Sequence, residues 1–200
     1  MALKNEMLRQ GNFLFRYRGI LPVLILVPAL LLVYRSGLNH QKTSPDFQYL
    51  YYGISLLGLA IRFYTIGYSS KNTSGRNTHE GQIADSINRT GIYSVCRHPL
   101  YVGNFFMWLG LALYTDNLWF VLFFIILYWV YYERIMYAEE HFLENKFGSA
   151  YTDWADATPA VIPDFSKWKQ NKNPFSFSPF NKTIRVCGFP NVSTVANAIA

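Results

Sequence analysis

The sequence is poor in charged residues and in cysteine. Asp, Glu, Lys and Arg make up 15% of its 200 residues, whereas ordinary soluble domains contain about 25%. The two cysteines, Cys96 and Cys187, are too few for a disulfide framework and lack the spacing of metal ligands. We therefore expect free thiols and no metal site. No nucleic-acid-binding motif is present either, which argues against a nucleic-acid partner.

Apolar and aromatic residues dominate the sequence instead. Apolar residues make up 51% of it, and 15 Tyr, 16 Phe and 5 Trp are typical of a membrane protein with aromatic belts. Apolar segments at about 19–34, 47–68, 99–114 and 118–136 approach the roughly 20 residues that cross a bilayer as a helix. The predicted fold class is therefore all-α, a polytopic membrane protein with about four transmembrane helices.

The last two predicted spans form a tight antiparallel hairpin, because only residues 115–117 separate them. After the second of these spans the pattern stays helical to about Trp154, which predicts a further helix outside the membrane. We expect a membrane domain over residues 1–165 and a basic, aromatic tail over 166–200 that suits the membrane surface. The apolar run that begins at Val192 is expected either of a frayed end or of a shortened form of a longer protein.

The net charge of +6 is distributed asymmetrically. Lys and Arg concentrate in the N-terminal segment, in the loop at about 69–98 and in the C-terminal segment, while the opposite side keeps only Arg35 and Lys42. Because positive loops stay on the cytosolic side, both termini are predicted to be cytosolic.

Polar residues precede the third predicted span. Pro99 suits the first turn of a helix, and it holds His98 in extended geometry. The helix start presents unpaired N–H groups and a positive dipole end, which is a site for a carboxylate or phosphate. Gly91 and Gly103 would let a ligand or a backbone approach closely. The alternative is an ordinary helix start with a snorkelling Arg97 and a capping His98.

A second polar group follows the fourth span, where Glu139 shares a helix face with Leu143 and Phe147. A carboxylate above an apolar stripe fits a helix that leaves the membrane beneath a polar pocket, although a solvated acidic face is the alternative. The hairpin brings this group close to His98. Two further charges, Arg62 and Glu133, lie in or at the ends of spans, where they either pair with each other or snorkel.

Together these residues form two motifs at a defined separation. They are Gly91, Tyr93, Arg97, His98, Pro99 and Tyr101, then Glu139, Glu140, Leu143, Phe147, Gly148 and Tyr151. Over about residues 50–163 the sequence resembles the isoprenylcysteine carboxyl methyltransferases and the related phospholipid methyltransferases. The resemblance implies that S-adenosylmethionine binds between the start of the third span and the helix after the fourth.

The resemblance and the chemistry of methyl transfer together suggest roles for particular residues. The expected cofactor-binding residues are Tyr93, His98, Pro99, Tyr101, Gly103, Glu139 and Glu140, and the expected catalytic residues are Arg97, His98 and Glu139. Glu139 or Glu140 would bind the ammonium or ribose of the cofactor, and Arg97 would hold an anionic acceptor. His98 or a glutamate would take the proton of an amine acceptor.

The acceptor is expected to be a lipid or a lipidated molecule that enters from the bilayer. An isoprenylcysteine-type carboxylate and a phospholipid amine or phosphate both remain open. The membrane would be the bacterial inner membrane, or the endoplasmic reticulum of a eukaryote. The competing functional class is a non-catalytic four-helix membrane subunit or a small transporter.

Overall fold

The computed structural model describes residues 2–18, 20–38, 44–70, 82 and 84–177. Within these ranges the chain forms α-helices and short 3₁₀ turns but no strand, and one isolated β-bridge joins Gly91 to Lys169. The helices are α1 (Leu3–Arg16), α2 (Ile20–Leu38), α3 (Pro45–Tyr68), α4 (Pro99–Leu113), α5 (Leu118–Phe147) and α6 (Ser149–Ala157). The prediction of an all-α fold is confirmed.

The predicted spans correspond to helices α2 to α5, with ends displaced by a few residues. Helices α3 and α5 are long and apolar enough to cross a membrane, whereas the apolar stretches Leu24–Arg35 and Pro99–Leu113 are shorter. The number of spans, about four, therefore stays a prediction. Helix α5 contains 30 residues, so at 1.5 Å per residue it is about 45 Å long. Its C-terminal turns extend past a hydrocarbon core of about 30 Å.

Helices α3 and α4 approach each other closely. A Cβ atom on Gly58 would lie 2.5 Å from the carbonyl oxygen of Gly103, and one on Gly103 would lie 2.7 Å from Cγ of Arg62. Small residues are what allow backbones to approach in membrane helix pairs. Gly103, expected at the cofactor, thus accommodates the neighbouring helix.

Helix α1 is an element that the sequence analysis did not predict. Gly11 and Phe15 are buried on it, and a Cβ on Gly11 would lie 2.7 Å from Cβ of Ala138. Arg134 Nε on α5 donates a hydrogen bond of 2.8 Å to Gln10 Oε1. The helix was missed because most of its length is polar, and packing on α5 rather than hydropathy accounts for it.

The predicted helix to about Trp154 is interrupted at Gly148. Gly148 has φ of 56°, a conformation that glycine adopts without steric cost, and it separates α5 from α6. The chain then returns along the 88–98 loop and continues over the C-terminal end of α3.

The beginning of the tail packs on α3. The Phe175 ring occupies the space that a side chain at Gly67 would fill, and Asn173 Nδ2 donates to Ser70 Oγ at 2.8 Å. The expected surface location of residues 166–200 stays a prediction. Residues 178–200, with the apolar run at Val192, and most of the loop over 71–87 lie outside the described residues.

Candidate active site

The site begins where α4 starts. Pro99 is the first residue of the helix, as the sequence predicted, and His98 is its N-cap. His98 has φ of −118° and ψ of 53°, so it lies outside the helix but does not adopt the extended geometry that was expected. The alternative of a capping histidine is wrong, because the His98 side chain makes no cap hydrogen bond. The imidazole instead faces α5, and only 6% of His98 is exposed.

The approach to α4 is held by a segment that follows α6. The backbone N–H groups of Arg97 and His98 donate to the carbonyls of Pro159 and Ala160 at 2.9 and 3.1 Å. In return, the N–H of Asp164 donates to the carbonyl of Val95 at 3.0 Å. These bonds fix the backbone at His98, and they come from a segment outside the helices that carry the site.

Both glutamates of the second motif contact the first motif. His98 Nε2 lies 2.7 Å from Glu140 Oε1, and Arg97 Nε lies 3.1 Å from the same oxygen. The Tyr101 hydroxyl donates to Glu139 Oε2 at 2.8 Å, and His98 Nδ1 lies 3.9 Å from that atom. The imidazole thus lies between two carboxylates that are consecutive in sequence. An ionised carboxylate only accepts hydrogen bonds, so Nε2 carries the proton shared with Glu140.

Arg97 and Tyr93 lie at the edges of this group. Arg97 Nη1 donates to the carbonyl of Ala155 at 2.8 Å, so its guanidinium already connects Glu140 to α6. Burial raises the pKa of Tyr93 to about 12, and this phenol is hydrogen-bonded to Ser69 and Asn88. The structure therefore places Tyr93 against the end of α3.

Cys96 is buried behind the site. Its Sγ lies 3.3 Å from the carbonyl oxygens of Ala160 and Val161, and burial raises the pKa of the thiol to about 11. Cys96 forms no disulfide. The thiol therefore remains protonated at neutral pH, and Cys96 contributes to packing behind the site.

A second polar group lies inside the helical bundle next to the site. The contacts among its members were not predicted from the sequence. Arg62 Nη1 on α3 donates to Asn104 Oδ1 on α4, and Asn104 Nδ2 donates to the Tyr132 hydroxyl at 3.3 Å. The expected pairing of Arg62 with Glu133 is wrong, since Glu133 is exposed. We call Arg62, Asn104 and Tyr132 the inner polar cluster. An amide in an otherwise apolar helix was the signal that was available for Asn104.

Tyrosines connect the inner polar cluster to the glutamates. The Tyr128 hydroxyl donates to the carbonyl of Tyr101 at 2.6 Å, and the Tyr101 and Tyr132 rings are 4.8 Å apart. Among the described residues, no carboxylate forms an ion pair with Arg62. The positive charge is consequently held by neutral side chains.

Comparison with known families agrees with this geometry. A sequence model described as phospholipid methyltransferase matches residues 49–150, which include helices α4 and α5, the first motif and the second motif as far as Gly148. The chain belongs to the phospholipid methyltransferase family. The resemblance drawn from the motifs is thereby confirmed.

The relatives of this chain include two bacterial proteins that are named for metal resistance. The nickel-cobalt-cadmium resistance protein NccN of Alcaligenes xylosoxydans xylosoxydans is 33% identical over 89 residues, 44% of this chain and 41% of that protein. The cobalt-zinc-cadmium resistance protein CzcN of Cupriavidus metallidurans is 30% identical over 162 residues, 79% of this chain and 69% of that protein. Among the described residues, no group of three His, Cys, Asp or Glu side chains is arranged to hold a metal ion.

Enzymes that methylate isoprenylcysteine are also similar to the chain. The protein-S-isoprenylcysteine O-methyltransferase of Schizosaccharomyces pombe is 36% identical over 74 residues, 36% of this chain and 31% of that enzyme. The structure of a eukaryotic intramembrane Ras methyltransferase, isoprenylcysteine carboxyl methyltransferase, superposes with a TM-score of 0.58 at 18% identity, covering 74% of this chain and 53% of that one. This likeness confirms the polytopic membrane fold.

Proposed function

We propose that the chain is a methyltransferase that transfers the methyl group of S-adenosylmethionine to a lipid or lipidated acceptor in the membrane. The observation that carries the proposal is the convergence of Glu139 and Glu140 on His98 and Tyr101, where α4 begins. These side chains are separated by about forty positions in sequence, and their network lies at one end of a hairpin of apolar helices.

The groups present suit the polar parts of S-adenosylmethionine. Glu139 and Glu140 offer carboxylate oxygens to an ammonium or to ribose hydroxyls. The first turn of α4 lacks a side-chain cap. Pro99 has no N–H, and the N–H groups of Tyr101 and Val102 donate to the carbonyl of His98, so the N–H of Leu100 and the positive dipole end remain to suit a carboxylate. When bound, S-adenosylmethionine supplies a methyl group on a positively charged sulfur. The protein residues hold and orient that donor.

Positioning supplies much of the rate of such a transfer, because an in-line displacement depends on the alignment of donor and acceptor. The backbone bonds to Pro159 and Ala160 and the side-chain bond to Glu140 hold His98 in one orientation. In the neutral tautomer with its proton on Nε2, the imidazole would present Nδ1 on the side of Glu139. For an amine acceptor, Nδ1 would take the proton that the amine loses; a carboxylate or phosphate acceptor needs no base.

The inner polar cluster suits the acceptor end of the reaction. Arg62 is a half-buried cation among neutral partners, and such a cation is stabilised by an anion with hydrogen-bond geometry. Arg97 was the expected anion-binding residue, but its ion pair with Glu140 and its hydrogen bond to the carbonyl of Ala155 favour a positioning role. We therefore assign the acceptor contact to Arg62, which favours a carboxylate or phosphate as the acceptor group.

The asymmetry of Lys and Arg supports a cytosolic site with both termini cytosolic. The packing of α1 on the end of α5 adds support, since Gly11 lies against Ala138, one residue before Glu139. The N-terminal segment and the acidic pair would then lie on the same side of the membrane. Cysteine-accessibility labelling at position 4 in oriented vesicles would test this orientation.

Binding of S-adenosylmethionine to the detergent-purified protein, measured by calorimetry, tests the proposed function. We expect saturable binding that His98→Ala and Glu139→Gln both weaken, because each removes part of the same network. Glu133→Gln is the matched control, since Glu133 is exposed on the same helix. Absence of binding by the folded wild-type protein in both detergent and lipid would favour a non-catalytic membrane subunit or a small transporter. If S-adenosylmethionine binds, screening of prenylcysteine and phospholipid acceptors with labelled methyl groups would identify the acceptor.

A further inference from the structure

A groove between α1 and α5 lies apart from the candidate active site. Its volume is about 580 Å³, which is within the range of small-molecule sites. It is lined on α1 by Arg9, Gln10, Phe13 and Leu14, and on α5 by Leu127, Val130, Tyr131 and Arg134.

The groove occupies a different face of α5 from the active site. Tyr128, Tyr132 and Glu139 recur at intervals of four and seven, so they form one stripe toward α4. With 3.6 residues per turn, Leu127 and Arg134 lie roughly 100° or more around the helix from that stripe. A molecule in the groove would not contact His98 or the acidic pair.

The length of the groove is apolar and open. Phe13 is 62% exposed and Val130 is 42% exposed, and in a bilayer both side chains would face hydrocarbon. Leu14 and Leu127 are half-buried beneath them. Such a surface suits an acyl chain and offers little to a polar solute.

The groove also carries two arginines. Arg134 is fixed by hydrogen bonds of 2.8 Å from Nε to Gln10 and from Nη1 to the carbonyl of Val130. In the part of the chain that the structure describes, Arg9 forms no hydrogen bond or ion pair. The nearby Glu6 carboxylate accepts a bond of 3.1 Å from Gln10, and among the described residues neither arginine forms an ion pair with a carboxylate. Two guanidinium groups therefore line the same groove without a protein carboxylate to neutralise them.

We propose that this groove binds an anionic phospholipid of the surrounding bilayer. The lipid phosphate would lie between Arg9 and Arg134, because guanidinium groups bind phosphate through charge-assisted hydrogen bonds. One acyl chain would follow Phe13 and Val130. Bound in this way, the lipid connects α1 to α5, and the proposal is independent of the methyltransferase activity.

The test is lipid retention by the full-length purified protein, measured by native mass spectrometry after titration with phosphatidylglycerol or phosphatidylcholine. We expect one phosphatidylglycerol to be retained in preference to phosphatidylcholine. Arg9→Gln should weaken this retention about fivefold, since one basic residue at a membrane surface contributes about 1 kcal/mol. Arg9 is exposed, so the substitution should leave the fold intact. Lys4→Gln, which removes an equal charge from α1 outside the groove, is the control and should change little.

A second variant, Val130→Trp, fills the apolar part while both arginines remain. We expect it to reduce phosphatidylglycerol retention without changing the net charge. Equal retention of the two lipids would overturn the proposal, as would equal losses in Arg9→Gln and Lys4→Gln. Retention in Val130→Trp at the wild-type level would show that acyl chains do not use the groove and would also overturn it.

Discussion

The two ends of the α4–α5 hairpin are built from the same pair of helices, yet their polar groups are satisfied in different ways. At the closed end the bonds are mostly local: Asn117 Oδ1 accepts from the Phe120 N–H at 2.9 Å, and Thr115 Oγ1 donates to the carbonyl of Ala112 at 2.7 Å. At the open end, His98 bonds to Glu140 across 42 positions of sequence. A local cap specifies a turn, whereas buried groups that meet only in the folded chain create an environment for binding and chemistry.

The largest expected effect comes from Glu140→Gln at the open end. The substitution removes the charge that holds both His98 and Arg97, and hydrogen bonds to charged groups contribute about 1.5–3 kcal/mol. Affinity for S-adenosylmethionine, measured by calorimetry, should fall about 10- to 100-fold. Glu144→Gln is the control, because Glu144 is exposed one turn further along α5. Equal effects of the two substitutions would show that the network is not part of the site.

The reactivity of the Cys96 thiol measures how well the packing behind the active site excludes solvent. Burial raises the pKa of its thiol from 9.0 to about 11, so at pH 8 the thiolate fraction should be about 100-fold smaller than in the unfolded chain. Alkylation of Cys96 by iodoacetamide, followed by peptide mass spectrometry, should be slower in the folded protein by at least this factor.

The same shift has a consequence for stability. Since the folded pKa is the higher one, the contribution of Cys96 to stability is complete below pH 9 and is lost as the pH rises toward about 11.

The alkylation experiment has a contradicting outcome. If Cys96 in the folded protein were alkylated at pH 8 at the rate of the unfolded chain, the close pairing of residues 95–98 with the segment that follows α6 would be wrong.

The inner polar cluster allows the proposed acceptor binding to be tested apart from cofactor binding. Arg62→Gln removes the cation from this cluster, and we expect the KM for an anionic acceptor to rise about tenfold. The affinity for S-adenosylmethionine should stay within about twofold, because Arg62 does not contact His98 or Glu139. Steady-state kinetics with an identified acceptor, beside calorimetry, would measure both. A parallel loss of cofactor affinity would place Arg62 in the cofactor site instead.

The smallest effect is expected at the closed end. Asn117→Ala removes the N-cap of α5, which typically lowers the free energy of unfolding by about 1 kcal/mol. Thermal unfolding in detergent should detect this loss, while S-adenosylmethionine binding should be unchanged. If Asn117→Ala weakened cofactor binding as much as Glu140→Gln, the functional contrast between the two ends would be lost.

Much of this arrangement was predictable because it depends on local chemistry. Runs of apolar residues predicted the helices, Pro99 predicted the start of α4, and the short turn at 115–117 placed His98 beside the acidic pair. Arg62 was recognised as unusual, but its partner was not. Which of several polar side chains an arginine meets depends on how far one helix is rotated and shifted against another, and hydropathy does not encode that register.

The helical membrane fold, the hairpin and the two motifs follow from local features of the sequence, because hydrophobic length, proline and short turns act over a few residues. Tertiary structure alone decided that α1 lies on α5, that Gly103 faces Arg62 and that Phe175 covers Gly67. Those contacts join residues far apart in the chain, and each depends on the shapes of two surfaces that must fit together. The complementarity of two such surfaces is visible only in the folded structure.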